Sequence, residues 1–271
     1  MTRPAEQLAA DGAAVVRGFL APDDAADLRR TVNDIYAYMK SCERISHRQL
    51  RFHFNLWHGV WLRPLPKFLR KARPDLAQRY DQVLGRIEAQ VKRTFGPDWQ
   101  FFPKRSYFRR HMGMIRAVTW HVDADAASIF LVAGEAINVW MPLDKVGTDL
   151  PSLEVVPHSH EVMRKIPMLA GKDRYRDDAF VGTIGQASAP QLDVGDALIF
   201  DQFTLHRTQN VGSKDIVRTA CEFRFVRHAA PTWQGVSGWL RYNLNVLFSP
   251  QGYFAAKAKS YLGVEQRDSA A

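Results

Sequence analysis

Two histidines, an aspartate and an arginine carry the most chemistry in this chain. Trp120-His121-Val122-Asp123 sets an imidazole and a carboxylate two residues apart. In a β-strand, residues i and i+2 point to the same face, so both side chains could reach one metal ion. Far downstream, the Gly195-Asp196 turn starts a buried strand through Ala197-Leu198-Ile199-Phe200, and His206 is expected at its far end. Two imidazoles and one carboxylate on one face of an octahedron leave three positions open, an arrangement suited to ferrous iron. Two of those positions can take a bidentate 2-oxo acid and the third O2. Arg218 follows His206. If a hairpin joins them, its planar guanidinium returns towards the metal and can grip the far carboxylate of such a cosubstrate. Thr208 can add a hydroxyl hydrogen bond to the same carboxylate, while Asn210 shapes the turn.

Other polar residues compete for notice. His111, His158 and His160 read as structural histidines rather than extra ligands. His47, His53 and His58 fall among Phe52, Phe54, Trp57 and Trp61 in a stretch without clean periodicity. Residues 41 to 73 are therefore expected to be irregular, with at most a short helix, and to cover the site as a lid. Arg105, Arg109, Arg110 and Arg116 precede the His-x-Asp pair. Strand alternation would turn some of them inwards, where one could hold an anionic substrate.

The elements that must position these groups follow from hydrophobic pattern. Asp11-Gly12-Ala13-Ala14-Val15-Val16-Arg17-Gly18-Phe19-Leu20 predicts a short strand bounded by glycines. After Pro22, Asp23 or Asp24 is expected to cap a helix reaching Tyr36, with Leu28, Val32, Ile35 and Tyr36 on one face. A second helix is expected from Pro74 to about Thr94, stopped by Gly96-Pro97, with Leu76, Tyr80, Val83, Leu84, Ile87 and Val91 as its stripe. Beyond Trp99 short apolar runs alternate with turn residues: 137–141, 153–156, 197–200 and 219–226. Helices first and strands afterwards predict an α+β chain whose antiparallel strands roll into a jelly roll. The chain reads as one domain over 1–271, with helical elaboration over about 22–95, a β core over about 99–228 and a C-terminal extension over about 229–271.

Composition narrows the class. Hydrophobic residues make up 46% and charged residues 24% of 271, enough for a well-buried core. Cys42 and Cys221 form no metal or disulfide spacing motif, and a reducing cytoplasm is the expected setting. No apolar run is long enough to span a membrane, and the N-terminus lacks a signal peptide's apolar stretch. The net charge of +9 is scattered, densest over Arg63–Arg73 and Lys104–Arg110, with no helix-turn-helix, zinc finger or RNP-like signature. Nucleic acid is therefore not the expected partner; the basic balance tilts towards an anionic or amino-acid-like small molecule. Oligomeric state is not readable.

Taken in order, these segments resemble the phytanoyl-CoA dioxygenase-like family of Fe(II)/2-oxoglutarate-dependent oxygenases over roughly residues 11 to 226. The resemblance rests on the opening Asp-Gly-x-x-Val-Val-x-Gly-Phe-Leu, Trp-His-x-Asp at 120–123 and Val139-Trp140-Met141-Pro142-Leu143-Asp144. It continues through Ser152-Leu153-Glu154-Val155-Val156-Pro157-His158-Ser159-His160 and His206-x-Thr208-x-Asn210 with Arg218. It implies a double-stranded β-helix with N-terminal helices packed on it, iron bound by His121, Asp123 and His206, and 2-oxoglutarate bound by Arg218 and Thr208 with Trp140 lining its pocket. It also implies oxidation of a small molecule by O2, most simply hydroxylation, with release of succinate and CO2. Related halogenases carry a small residue where Asp123 stands, so the carboxylate points to oxygenation. His158 stands where the family has Gly, and Pro151-Ser152 where Gly is common, so this loop is expected to differ. Two alternatives are a cupin-like metalloenzyme without 2-oxoglutarate, which leaves Arg218 and Thr208 no carboxylate to bind, and an oxygenase acting on nucleic acid. A non-catalytic jelly-roll binding module would have no use for the metal triad.

Overall fold

The computed structural model describes residues 3–41, 60–62, 67–102, 106–112, 118–125, 135–165, 177–210 and 216–227. Most of the aromatic and histidine-rich stretch, Arg105, Arg116 and the C-terminal extension lie outside the described residues, as do the side chains of Trp61 and His111.

Helix α1 (Pro4–Asp11) begins at a proline, whose missing N–H costs nothing in a first turn. It closes on Gly12, which sits at φ 74° and donates its N–H to the Leu8 carbonyl at 2.9 Å. Only glycine serves here, because a Cβ would also lie 2.3 Å from Nδ1 of His160. Strand β1 (Ala13–Val16) follows. Helix α2 runs over Pro22–Ser41, longer than its apolar stripe suggested. Asp23 and Asp24 lie inside its first turn rather than capping it, where their charges face the positive end of the helix dipole. Strand β2 (Val60–Leu62) and the short helix α3 (Lys67–Ala72) precede α4 (Pro74–Phe95). The last matches its predicted stripe: Leu76, Tyr80, Val83, Ile87 and Val91 are buried.

The strands are β3 (Gln100–Phe101), β4 (Tyr107–Met112), β5 (Glu135–Pro142), β6 (Leu153–Val155), β7 (Ala197–Asp201), β8 (His206–Thr208) and β9 (Val217–Arg227). The major sheet has the order β1-β7-β5-β9-β4-β2, with β3 also paired to β9, and every pairing is antiparallel. Thus 13–16 and 60–62 belong to the β core, which is not confined to residues after 99. Strands β6 and β8 form a minor sheet, widened by bridges from His121 to His206 and from Ser188 to Val155. Short helices α5 (Ser159–Met163) and α6 (Asp178–Ile184) complete the described elements.

Two facing antiparallel sheets with helices on one side make this an α+β double-stranded β-helix. Helices α2 and α4 cover the outer face of the major sheet, where Ile35, Tyr80 and Ile87 meet Phe108, Val139 and Phe223. Between the sheets lie Trp140, Leu153, Val155, Leu198 and Phe200. Outside the minor sheet Trp120, Leu205, Met163 and Val181 form a third cluster. Among the described residues no helix is long and apolar enough to cross a membrane.

The loop at His158 keeps the geometry a glycine would adopt. His158 sits at φ 64°, the one non-glycine residue with positive φ among those described. Its N–H donates to Asp11 O at 2.7 Å and its Nδ1 to Ala10 O at 3.0 Å. These bonds offset a left-handed conformation that costs about 1–2 kcal/mol.

Candidate metal centre

His121, Asp123 and His206 converge between the sheets, with one ligand atom of each lying within 4.8 Å of the others. The route differs from the alternation argument. His121 is a bridge residue of the minor sheet, whereas Asp123 opens a 3-10 turn, Asp123–Asp125. The turn, tied by Ala124 N–H to Gln202 O at 2.9 Å, swings the carboxylate towards the two rings. His206 does not end the strand before it either. Strand β7 stops at Asp201, the chain turns, and His206 starts β8 in the opposite sheet. There it exchanges both backbone hydrogen bonds with His121 at 3.0 Å, which sets the rings 4.1 Å apart between centroids.

Both imidazoles are oriented by the backbone two residues earlier. Nδ1 of His121 donates to Thr119 O at 2.8 Å, and Nδ1 of His206 to Thr204 O at 2.9 Å. A carbonyl can only accept, so each Nδ1 carries the proton and each Nε2 presents a lone pair, as a metal ligand requires. Burial, then the second ring, pushes His121 down to about 3, and burial also lowers His206, so both stay neutral. Burial alone would raise Asp123, but the Arg224 guanidinium more than reverses it, holding the carboxyl well below the usual range. Two neutral imidazoles and a carboxylate suit a divalent metal with positions to spare. His158 and His160 are not part of this group. His158 is tied to Ala10 and Asp11, and His160 is buried beside Gly12.

A cavity of about 50 Å³ adjoins the triad, and Thr208, Asn138, Arg109, Glu222 and Arg224 share its walls. Arg218 and Trp140 stand outside that lining, the guanidinium 5.1 Å from the indole centroid. No hairpin carries Arg218 back, since β8 and β9 lie in different sheets. Arg218 arrives instead on the inner face of β9, wholly buried, and none of its three nitrogens has a hydrogen-bond partner among the described residues. Burial, with Arg109 adding to it, pushes its pKa down to about 9. Oγ1 of Thr208, Nε1 of Trp140 and Oγ of Ser152 are buried and unpartnered as well. An unpaired buried guanidinium costs several kcal/mol, so these orphaned donors fit an anion as the missing partner.

Arg109 alone of the four arginines upstream of the triad is shown to face the cavity. Arg110 points the other way, 4.3 Å from the Tyr36 ring centroid. The sequence reading passed over Arg224, Glu222 and Asn138. For Glu222 and Arg224 the signal was alternation along β9, since with Arg218 inwards residues 220, 222 and 224 must follow, and Asn138 shares its face of β5 with Trp140.

The family model described as Phytanoyl-CoA dioxygenase matches residues 8–220. No curated protein sequence matches the chain. Among solved structures, AviO1 from Streptomyces viridochromogenes is similar at TM-score 0.60 and 18% identity, over 84% of this chain and 96% of that one. SnoN, a non-heme alpha ketoglutarate dependent epimerase from nogalamycin biosynthesis, aligns at TM-score 0.59 and 16% identity over 87% of each chain. EctD from S. alaskensis, solved with 2-oxoglutarate and 5-hydroxyectoine, aligns at TM-score 0.56 and 16% identity over 82% of this chain and 74% of its own. At such identities the likeness is one of fold.

Proposed function

The chain belongs to the phytanoyl-CoA dioxygenase family, and from that premise we propose that it is a non-haem iron, 2-oxoglutarate-dependent dioxygenase that hydroxylates a small molecule. His121, Asp123 and His206 are its iron ligands. The observation that carries this reading is the convergence of two Nε2 lone pairs and one carboxylate beside a cavity. Ferrous iron bound there, with 2-oxoglutarate and O2, supplies the oxidising power, and the cosubstrate leaves as succinate and CO2.

The residues of this chain do the rest. The guanidinium of Arg218 and the hydroxyl of Thr208 bind the distal carboxylate of 2-oxoglutarate, with Trp140 beside them. Charge-assisted hydrogen bonds then satisfy donors that otherwise stand unpaired. The two Nδ1–H groups anchored on Thr119 and Thr204 hold both rings in their binding tautomer. Leu153 and Phe200 give the cavity an apolar wall. Among the described residues three arginines point between the sheets against Asp123 and Glu222. The one positive charge left over, on Arg218, is taken by the cosubstrate, so the tilt towards an anionic or amino-acid-like substrate rests on the basic balance of the chain.

The test is succinate release from Fe(II)-loaded protein with 2-oxoglutarate against a metabolite panel. One or more compounds should stimulate it, and His206→Ala should abolish the stimulation. A product heavier than its substrate by one oxygen supports hydroxylation; a product of unchanged mass means epimerisation instead. Protein indifferent to iron and to 2-oxo acids overturns the reading.

A further inference from the structure

The carboxylate of Asp123 offers four lone-pair positions, two on each oxygen. Three are already taken. Arg224 reaches across with a planar fork, Nη2 to Oδ1 at 2.5 Å and Nε to Oδ2 at 3.2 Å. Asn138 donates Nδ2 to Oδ2 at 3.0 Å. Among the described residues, the single position left free is on Oδ1.

The fork occupies the edge of the carboxylate that a chelating metal would need, one lone pair from each oxygen. A metal held by His121 and His206 can therefore draw only one oxygen from Asp123. That limit matters for coordination number. A chelating carboxylate would take a fourth position and leave two, just enough for a bidentate 2-oxo acid and none for a third ligand.

Resting on the assignment of the metal ligands above, we propose that Arg224 and Asn138 are positioning residues that restrict Asp123 to one-oxygen coordination through Oδ1 and so hold three metal positions open. The two have separate tasks: Arg224 blocks chelation, and Asn138 selects which oxygen is free. Both stand on rigid ground. Asn138 and Arg224 are direct partners across β5 and β9, so their side chains emerge side by side on the inner face. Arg224 is buried, and its backbone N–H donates to Oγ of Ser106 at 3.0 Å. The turn that carries Asp123 is thereby fastened to the opposite sheet before any metal arrives.

The test uses Mn2+ alone as probe. Free ion is counted by electron paramagnetic resonance, and the exchangeable waters on bound ion are counted by water-proton relaxation. With three open positions in the natural protein and two after chelation, Arg224→Met should lower the relaxation enhancement per bound ion by about one third. Arg224→Lys, which keeps the charge but cannot hold two oxygens, should give the same loss and serves if the methionine variant does not fold. Asn138→Ala leaves the fork in place and should keep the relaxation per bound ion, but loss of its bond to Oδ2 should weaken Mn2+ binding several-fold; unchanged affinity removes Asn138 from the proposal. Unchanged relaxation in a folded Arg224→Lys protein with Mn2+ bound overturns the proposal. So does the one-third loss in Asn138→Ala alone. His206→Ala is the separate control: if it binds Mn2+ as the natural protein does, the ligand assignment has failed rather than the clamp.

Discussion

The two faces of β9 are buried to the same degree and built on opposite principles. Towards the helices it shows Thr219, Cys221, Phe223 and Phe225; towards the minor sheet, Arg218, Ala220, Glu222 and Arg224. On the helix side Phe223 packs edge-on against Phe108, with centroids 6.1 Å apart, and nothing there needs a ligand. On the inner side Arg218 has three nitrogens unpaired among the described residues, and Arg224 is held by a carboxylate that also suits a metal. Burial alone therefore cannot tell core from site. What separates them is whether each buried group is satisfied by the protein itself.

Replacing Arg218 by Met probes the inner face hardest. The 2-oxoglutarate concentration giving half-maximal succinate release should rise roughly 100-fold, because a buried charge-assisted contact is lost. Bound metal should stay. The same change removes an unpaired buried charge, so stability should rise by about 1–4 kcal/mol in denaturant unfolding. An unchanged cosubstrate requirement with a lower melting temperature would erase the distinction between the faces. Phe223→Ala should do the reverse, lowering stability by about 3–5 kcal/mol through a cavity under α4. Its cosubstrate requirement, measured on folded protein, should not move. A shift there would mean that the helix-side core sets the site geometry directly.

Legibility in the sequence followed the same division. The helix over Pro74–Phe95 was readable because its period repeats over many turns, and the strand runs because β-branched and aromatic residues cluster between turn residues. The ligand triad was readable from residue type. Its geometry was not, since the turn at Asp123–Asp125 depends on a backbone bond to Gln202 and the crossing of His206 depends on sheet order. Arg224 and Glu222 were missed for a related reason: a charged residue in a strand usually faces water, and only closure of the second sheet makes it an interior group. The membership of β1 and β2 in the major sheet is likewise a long-range pairing that no local pattern reports.

Cys221 sits on the helix side between Thr219 and Phe223, wholly buried, and burial pushes its thiol well above the ordinary range. Cys221→Ser should cost about 1–3 kcal/mol, the usual result of leaving a hydroxyl among apolar groups. Alkylation mapped by peptide mass should label Cys221 only in denaturant. Labelling of the folded protein would show that this face opens readily and that its packing is looser than the inner side.

Thr219 is the polar member of the apolar face, and it sharpens the comparison most finely. Its Oγ1 accepts from Nε of Arg110 at 3.2 Å, near the exposed end of the strand. Arg110 has other company, Oδ1 of Asn33 at 3.0 Å and the Tyr36 ring. Thr219→Val keeps the shape and removes one replaceable bond, so stability should fall by only about 0.5–1 kcal/mol, with the cosubstrate requirement unchanged. A loss comparable to that of Phe223→Ala would mean that polarity on the helix side is as indispensable as on the inner side. The small expected effect follows because Arg110 can turn to water, whereas the buried guanidinium of Arg218 has no hydrogen-bond partner among the described residues.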